Sequence, residues 1–244
     1  MYRPIFSIIT ICYNAEKEIE RTLKSVQEQT YSGIEYIIID GASTDTTTHI
    51  IKNYTNIVST YVSEPDKGLY DAMNKGLSYA TGDYICFLNA GDTFFECNTL
   101  TKIVHGLNGN TPDLIYGQTA LVDKNQKFIR MRRLAAPEYL SWKSLKLGML
   151  VCHQAFMPKR ELAPEYNLKY KFSADYDWCI KILKQCKDIH YTRLILINYL
   201  NEGITTRNHK KSLKERYAIM ESHYGKVTTF IMHLWFVLRH FLKK

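Results

Sequence analysis

The sequence predicts an α/β fold, a three-layer α/β/α arrangement around a mostly parallel central sheet. Two observations carry this. Through residues 5–88, continuous apolar runs alternate with segments whose apolar residues recur at helical spacing. Three of those runs also end in a polar cluster: Tyr13-Asn14, Asp40-Gly41-Ala42-Ser43 and Asn89-Ala90-Gly91-Asp92. Strand–helix alternation at this spacing gives parallel strands with helices on both faces, and such sheets bind ligands beyond the carboxyl ends of their strands. Topology therefore gathers the three clusters on one rim.

The elements follow in order. Ile5 to Cys12 is a β-branched apolar run, as expected of a strand buried on both faces. Asn14 is the expected cap of a helix carrying Ile19, Leu23 and Val26. Ile34 to Ile39 is a second strand, ending at Asp40 and Gly41. Ser43, Thr44 and Asp45 then offer caps for a helix with Ile50, Ile51 and Tyr54. Leu69, Met73, Leu77 and Ala80 share one face of a helix between Gly68 and Gly82, and Tyr84 to Leu88 is the next buried strand. Beyond it, Leu114 to Gly117, Phe128 to Met131, Val151 to Met157 and Ile195 to Tyr199 read as strands, and about Asp175 to Cys186 as a helix. With no linker or repeat between the halves, one domain is expected over residues 1–226.

The remaining residues, 227–244, read as an amphipathic basic helix. A span needs about 20 apolar residues, and VTTFIMHLWFVLRHFL is shorter and interrupted by His233, Arg239 and His240. A helix here puts Thr229, His233 and His240 near one stripe and Phe230, Ile231, Leu234, Trp235, Leu238 and Phe241 across a broad apolar face. That pattern suits contact with an anionic membrane surface; a helix packed on the core or in a dimer is the plainer reading.

The chain of 244 residues carries a formal charge of +8, which favours an anionic partner. The excess is clustered at Arg130, Arg132 and Arg133, at Lys210, Lys211, Lys214 and Arg216, and at Lys243 and Lys244, while the acidic motifs lie in the first half and around residue 175. No nucleic-acid-binding motif occurs, so a nucleic-acid partner is not expected. The six cysteines include no CxxC pair, which argues against a metal finger and for a reduced, cytoplasmic protein. The N-terminal apolar run lacks a small-residue cleavage site and reads as a first strand.

Four stretches carry candidate chemistry. Asp40 closes a buried strand ahead of a glycine, where a carboxylate accepts hydrogen bonds from a base or ribose. SEPDKGLYDAMNKG sets Asp66 and Lys67 beside Gly68, where the backbone can approach a ligand closely. In FLNAGD, Asp92 follows a strand where a divalent ion, Mn²⁺ or Mg²⁺, would bridge a carboxylate to phosphates; His153 in VCHQAF is a further candidate ligand, though a lone histidine is more often structural. SADYDW places Asp175 and Asp177 at a helix start, as a general base or as caps.

Taken together, SIITICYNAEKEIERTLKSVQEQT, IIIDGASTDTT, SEPDKGLYDAMNKG, GDYICFLNAGD and SADYDW resemble the family 2 glycosyltransferases, over about residues 5–185, with a weaker echo at NEGITTRNHKKSLKER. The resemblance implies a GT-A fold with a Rossmann-like nucleotide-binding half, and inverting transfer from a nucleotide-diphosphate sugar, a UDP-sugar being expected, with a divalent metal. It implies Asp175 as catalytic base, Asp92 as metal ligand, Asp40 at the donor base, Asp66 by the nucleotide, and Ser7, Thr10 and Tyr13 along the start of the cleft; Lys67 and Asn89 join the nucleotide-binding candidates. The chain departs from the pattern at Asn89 and Gly91, where many relatives carry aspartates, and at Ala174, where a Glu often stands. The expected acceptor is a surface glycan or a lipid-linked one, with residues 227–244 holding the protein at the inner face of the membrane and a cation from Arg207 to Lys211 beside the leaving group. A non-catalytic nucleotide-sugar sensor or scaffold is the alternative that the thinned acidic motif suggests.

Overall fold

The computed structural model describes residues 3–201 and 209–241. Its first sheet has the order β3-β2-β1-β4, from β1 (Phe6–Cys12), β2 (Ile34–Asp40), β3 (Thr60–Ser63) and β4 (Tyr84–Phe87). Every pairing in it is parallel, with Cys12 level with Asp40 and Asp40 level with Ser63. The apolar runs form strands because both faces are covered, which leaves no side open to water. Ile9, Ile11, Ile37, Ile39, Ile85 and Phe87 point into one core; Phe6, Ile8, Tyr36, Ile38, Tyr84 and Cys86 point into the other.

Helices α1 (Ile19–Gln27), α2 (Thr47–Lys52) and α4 (Thr99–Leu107) bury their apolar stripes in the second core. Helices α3 (Leu69–Tyr79), α5 (Ala174–Leu183) and α6 (His209–Tyr224) bury theirs in the first. This is the expected three-layer α/β arrangement. A second, mixed sheet of order β5-β9-β6-β7 continues it, from β5 (Thr93–Phe94), β6 (Leu114–Val122), β7 (Phe128–Met131) and β9 (Ile189–Leu200). Strand β8 (Phe156–Pro158) pairs with β6, and an isolated bridge from Lys159 to Tyr84 ties the two sheets together.

Two local expectations are corrected, and two elements carry detail the sequence did not show. Asn14 does not cap α1: it has a left-handed backbone (φ 47°), and its Oδ1 accepts the Thr44 N–H at 2.8 Å, joining the ends of β1 and β2. The run Val151 to Met157 is mostly not strand, because a 3₁₀ turn at His153–Ala155 precedes the short β8. Strand β3, with no fully buried residue, lacked the apolar signal of its neighbours. The tail forms helix α7 (Lys226–Phe241), with the Thr229–His233 stripe turned towards the body. Thr229 is fully buried, and Met232, His233 and Phe236 turn inward, His233 against Tyr217 with ring centroids 4.7 Å apart. The outward face is the apolar one, with Phe230, Ile231, Leu234, Trp235 and Leu238 all exposed.

Candidate active site

The carboxyl ends of β1, β2 and β4 open onto a cleft of about 1030 Å³. Its walls also take residues from α3, α5, α6, β7 and the His153 turn.

At one end lie Tyr13, Asn14 and Asp66. Gly41 lets Asp66 and Tyr13 pack closely behind this wall: a Cβ there would come within 2.5 Å of Asp66 Oδ2 and 3.4 Å of the Tyr13 ring. Asp66 Oδ1 accepts the Gly68 N–H at 2.7 Å, which fixes the carboxylate at the start of α3. Asp40 sits beneath this end and not in its wall. It is fully buried, and its oxygens accept Ser43 N–H at 3.0 Å, the Ser63 hydroxyl at 2.6 Å and the Ser43 hydroxyl. It shapes the turn that presents Gly41.

Three other candidates leave the cleft. The Thr10 hydroxyl donates to Leu88 O at 2.7 Å inside the sheet, and the Lys67 side chain is exposed outside the wall. Ser7 stands at the amino end of β1, bonded to Glu35 at 2.6 Å, away from the carboxyl rim. For Thr10 the strand register decides the outcome, because alternate residues of a buried strand face the two cores.

In the middle of the cleft is the tight turn Asn89–Asp92, closed by Asp92 N–H to Asn89 O at 3.0 Å. Thr22 of α1 buttresses it, donating to Asp92 O at 2.8 Å and accepting Gly91 N–H at 2.9 Å. Gly91 is required here: its φ is +100°, and a Cβ would meet Leu200 Cδ2 at 2.7 Å. No aspartate fits this position. The Asp92 carboxylate is buried, and its partners are neutral: the Gln154 amide at 3.0 Å and the Leu200 N–H at 2.9 Å. Burial pushes its pKa up to about 7 against those two hydrogen bonds. The neighbouring Asn89 Oδ1 is buried with no hydrogen-bond partner among the described residues.

Asp175, on the first turn of α5, faces the cleft; Asp177 does not. Tyr70 of α3 donates its hydroxyl to Asp175 Oδ1 at 3.0 Å. Tyr70 in turn stacks on Tyr166, and Tyr166 on Trp178, with centroids 5.4 and 5.0 Å apart. His153 belongs to the same aromatic cluster. Its Nε2 meets the Tyr166 hydroxyl, its ring stacks on Phe87 at 4.9 Å, and burial lowers its pKa to about 4 although Asp175 opposes the shift. Among the described residues no three His, Cys, Asp or Glu side chains gather into a metal site. Both metal-ligand candidates, Asp92 and His153, line the cleft.

Helix α6 holds α5 in place. Ser212 bonds Ser173 at 2.8 Å, and Glu215 accepts the N–H groups of Lys171 and Phe172, both at 2.8 Å. The buried Asp177 pairs with His223 and Lys181, each at 2.7 Å. Burial raises the Asp177 pKa, but these partners win and lower it. On the same helix Arg216 enters the cleft wall, its Nε buried with no hydrogen-bond partner among the described residues. Sequence reading missed this residue, although Ser212, Glu215 and Arg216 share the i, i+3, i+4 face that would have shown it. Of the cations expected near the leaving group, Arg207 lies outside the described residues, and Lys210 and Lys211 are exposed.

The cleft's chemistry agrees with the relatives. Residues 7–166 match the family model described as glycosyl transferase family 2. A PGL/p-HBAD biosynthesis glycosyltransferase of Mycobacterium tuberculosis is 32% identical over 211 residues, covering 83% of this chain and 79% of its own. The UDP-Glc:alpha-D-GlcNAc-diphosphoundecaprenol beta-1,3-glucosyltransferase WfgD of Escherichia coli is 28% identical over 182 residues, 74% of this chain and 70% of its own. In structure, S. aureus TarS 1-349 in complex with UDP-GlcNAc superposes with a TM-score of 0.73 at 17% identity, over 97% of this chain and 72% of that one. The mannosyltransferase PcManGT of Pyrobaculum calidifontis, in complex with GDP-Man and Mn²⁺, gives 0.64 at 21% identity, over 89% and 64%. The fold is GT-A, and the chain belongs to glycosyl transferase family 2, an enzyme that transfers a glycosyl group.

Proposed function

We propose that the enzyme moves a sugar, with inversion, from a UDP-sugar to an acceptor hydroxyl in the synthesis of a surface glycan. The observation that carries this reading is one cleft whose wall joins Tyr13 and Asp66 at one end, the buried Asp92 carboxylate in the middle and the tethered Asp175 carboxylate beyond. The base lies between Tyr13 and Asp66, and the sugar reaches towards Asp175.

Asp175 Oδ2 is the oxygen that Tyr70 leaves free, and it takes the proton from the attacking acceptor hydroxyl. The hydroxyl oxygen forms the new bond to the anomeric carbon as the bond to the diphosphate oxygen breaks on the opposite face. Tyr70 and the aromatic cluster hold the carboxylate in position for this, which is worth more than raw basicity. Arg216 sits where its guanidinium neutralises charge developing on the leaving diphosphate.

The residues present fit a divalent ion. Asp92 is a buried carboxylate with no cation paired to it among the described residues, and Asn89 Oδ1 is an oxygen without a partner on the same turn. A hard cation takes such oxygens together with phosphate and water. When bound, Mn²⁺ or Mg²⁺ supplies further neutralisation of the diphosphate.

The exposed apolar face of α7 supports peripheral contact with the inner face of the cell membrane, where a lipid-linked acceptor would be met. No described helix is long and apolar enough to cross a membrane. The name of WfgD, which records a diphosphoundecaprenol-linked acceptor, is consistent with that location.

The test is turnover of a panel of nucleotide sugars, read as nucleoside diphosphate released, in wild type and Asp175→Asn. One donor should be consumed by the wild type, and the variant should bind it without consuming it. Equal turnover by both would remove Asp175 from the chemistry.

A further inference from the structure

The turn Asn89–Asp92 is held in two ways. Thr22 grips its backbone. The Asp92 carboxylate is held at its own oxygens, Oδ2 by the Gln154 amide at 3.0 Å and Oδ1 by the Leu200 N–H at 2.9 Å. Leu200 contributes through backbone, so among the described residues Gln154 is the one side chain that donates to this carboxylate. An ionised carboxylate offers about four acceptor positions. These two bonds occupy one on each oxygen, and both oxygens can accept further in the cleft wall that Asp92 shares with Gln154.

Gln154 is itself fixed at both ends. It is 5% exposed and lies in the 3₁₀ turn His153–Ala155, which packs against β4, β6, β9 and α5. Its Oε1 accepts the Cys152 S–H at 3.0 Å, so the oxygen end of the amide meets a donor and the nitrogen end an acceptor. Turning the amide over would set its oxygen against the carboxylate, so the partners decide which end faces Asp92.

The neutrality of this partner matters as much as its reach. A lysine or arginine in its place would pair with Asp92 and repel an incoming cation, and an apolar residue would leave the carboxylate with one hydrogen bond. An amide orients the carboxylate and leaves its charge uncancelled. With Asn89 and Gly91 in the turn's other positions, Asp92 is its one carboxylate, so a cation held there depends on how that single group is aimed.

We propose that Gln154 is a positioning residue for a divalent cation, holding the Asp92 carboxylate in its ligating orientation without neutralising it. The proposal rests on the reading of Asp92 as a metal ligand in sugar-nucleotide transfer and names the side chain on which that ligand depends. Hydrogen bonds to metal-ligating groups are worth about 10- to 100-fold in metal affinity.

The experiment counts free Mn²⁺ from its electron paramagnetic resonance signal as protein is added in the presence of UDP. It compares wild type, Gln154→Met, Gln154→Asn and Asp92→Asn. Methionine keeps the length of Gln154 and removes its N–H. Asparagine keeps the amide but stops one methylene short, a milder change should the first disturb folding. Thermal melts and UDP affinity without metal are measured on each protein. Wild type should take up Mn²⁺, both Gln154 variants should bind it about 10- to 100-fold more weakly, and Asp92→Asn should take up none. Metal-free UDP affinity should be the same in all four. Wild-type Mn²⁺ affinity in the Gln154 variants, beside its loss in Asp92→Asn, overturns the proposal and leaves the metal ligand standing. A parallel fall in metal-free UDP affinity in the Gln154 variants also overturns it, since that marks a general disturbance of the cleft. Wild-type affinity in Asp92→Asn, or no uptake by wild type, removes the metal-ligand reading and the proposal with it.

Discussion

The two halves of the cleft are built differently. On the β1–β4 side the polar groups are satisfied by the chain itself: Asp40 by Ser43 and Ser63, Thr10 by Leu88, Asn14 by Thr44. On the far side, Arg216 keeps a buried Nε unpartnered among the described residues, Arg130 and Arg133 have no described counter-charge, and α7 exposes an apolar face. Buried polar atoms are normally paired, so an unpartnered guanidinium nitrogen in the cleft wall is a place for a ligand to complete. The first side reads as a finished mould for one ligand. The second reads as a surface completed by its substrates.

The largest expected effect breaks this contrast at its centre. Asp175→Asn should lower turnover about 10²- to 10⁴-fold, the usual worth of a general base, with nucleotide affinity unchanged. If affinity falls in step, Asp175 belongs to the donor mould and the division is wrong. Next is the pH response of Asp92. Burial raises its folded pKa from the ordinary 3.8 to about 7, so the folded form holds the proton more tightly than the unfolded chain. Metal-free protein should therefore lose stability as pH rises from about 4 to 7, by about 4 kcal/mol at most. Thermal melts should show this slope, Asp92→Asn should flatten it, and Mn²⁺ with nucleotide should restore stability at pH 7.

Arg216→Gln sharpens the comparison, with kcat falling about 10²-fold and donor KM changing less, while Asp66→Ala does the opposite. Steady-state kinetics on both separates a residue that acts on the leaving group from one that binds the nucleotide. The smallest effect is expected of His223→Gln. It removes one partner of the buried Asp177 and should cost about 1–3 kcal/mol, read as a lower melting temperature.

Most of the first half was legible in the sequence, because strands buried on both faces announce themselves as Ile-rich apolar runs and end at the cleft rim. The carboxylates were legible as a set, and their individual roles were not. Asp40 and Thr10 sit one step from the cleft, a difference decided by strand alternation and by which donors are near. Asp175 and Asp177 are two residues apart on one helix, and only the approach of His223 from α6 shows which is engaged. Arg216 was hidden because its meaning comes from packing α6 against α5, contacts 30 or more residues apart in sequence. Helix α7 was correctly read as amphipathic, but the burial of Thr229 and His233 depends on the surface it meets and not on its own pattern.

The most direct test of the central claim, that this cleft takes a nucleotide-sugar donor at its Tyr13–Gly41–Asp66 end, is the change in melting temperature with each nucleoside diphosphate, with and without Mn²⁺. Binding to the folded state raises stability by mass action, by about 2.7 kcal/mol at a hundredfold excess over Kd. One nucleotide should raise the melting temperature in a Mn²⁺-dependent way, and Asp66→Ala, which removes the carboxylate lining that end, should abolish the rise. No rise with any nucleotide in folded wild type, or a rise of equal size in the variant, would contradict the account.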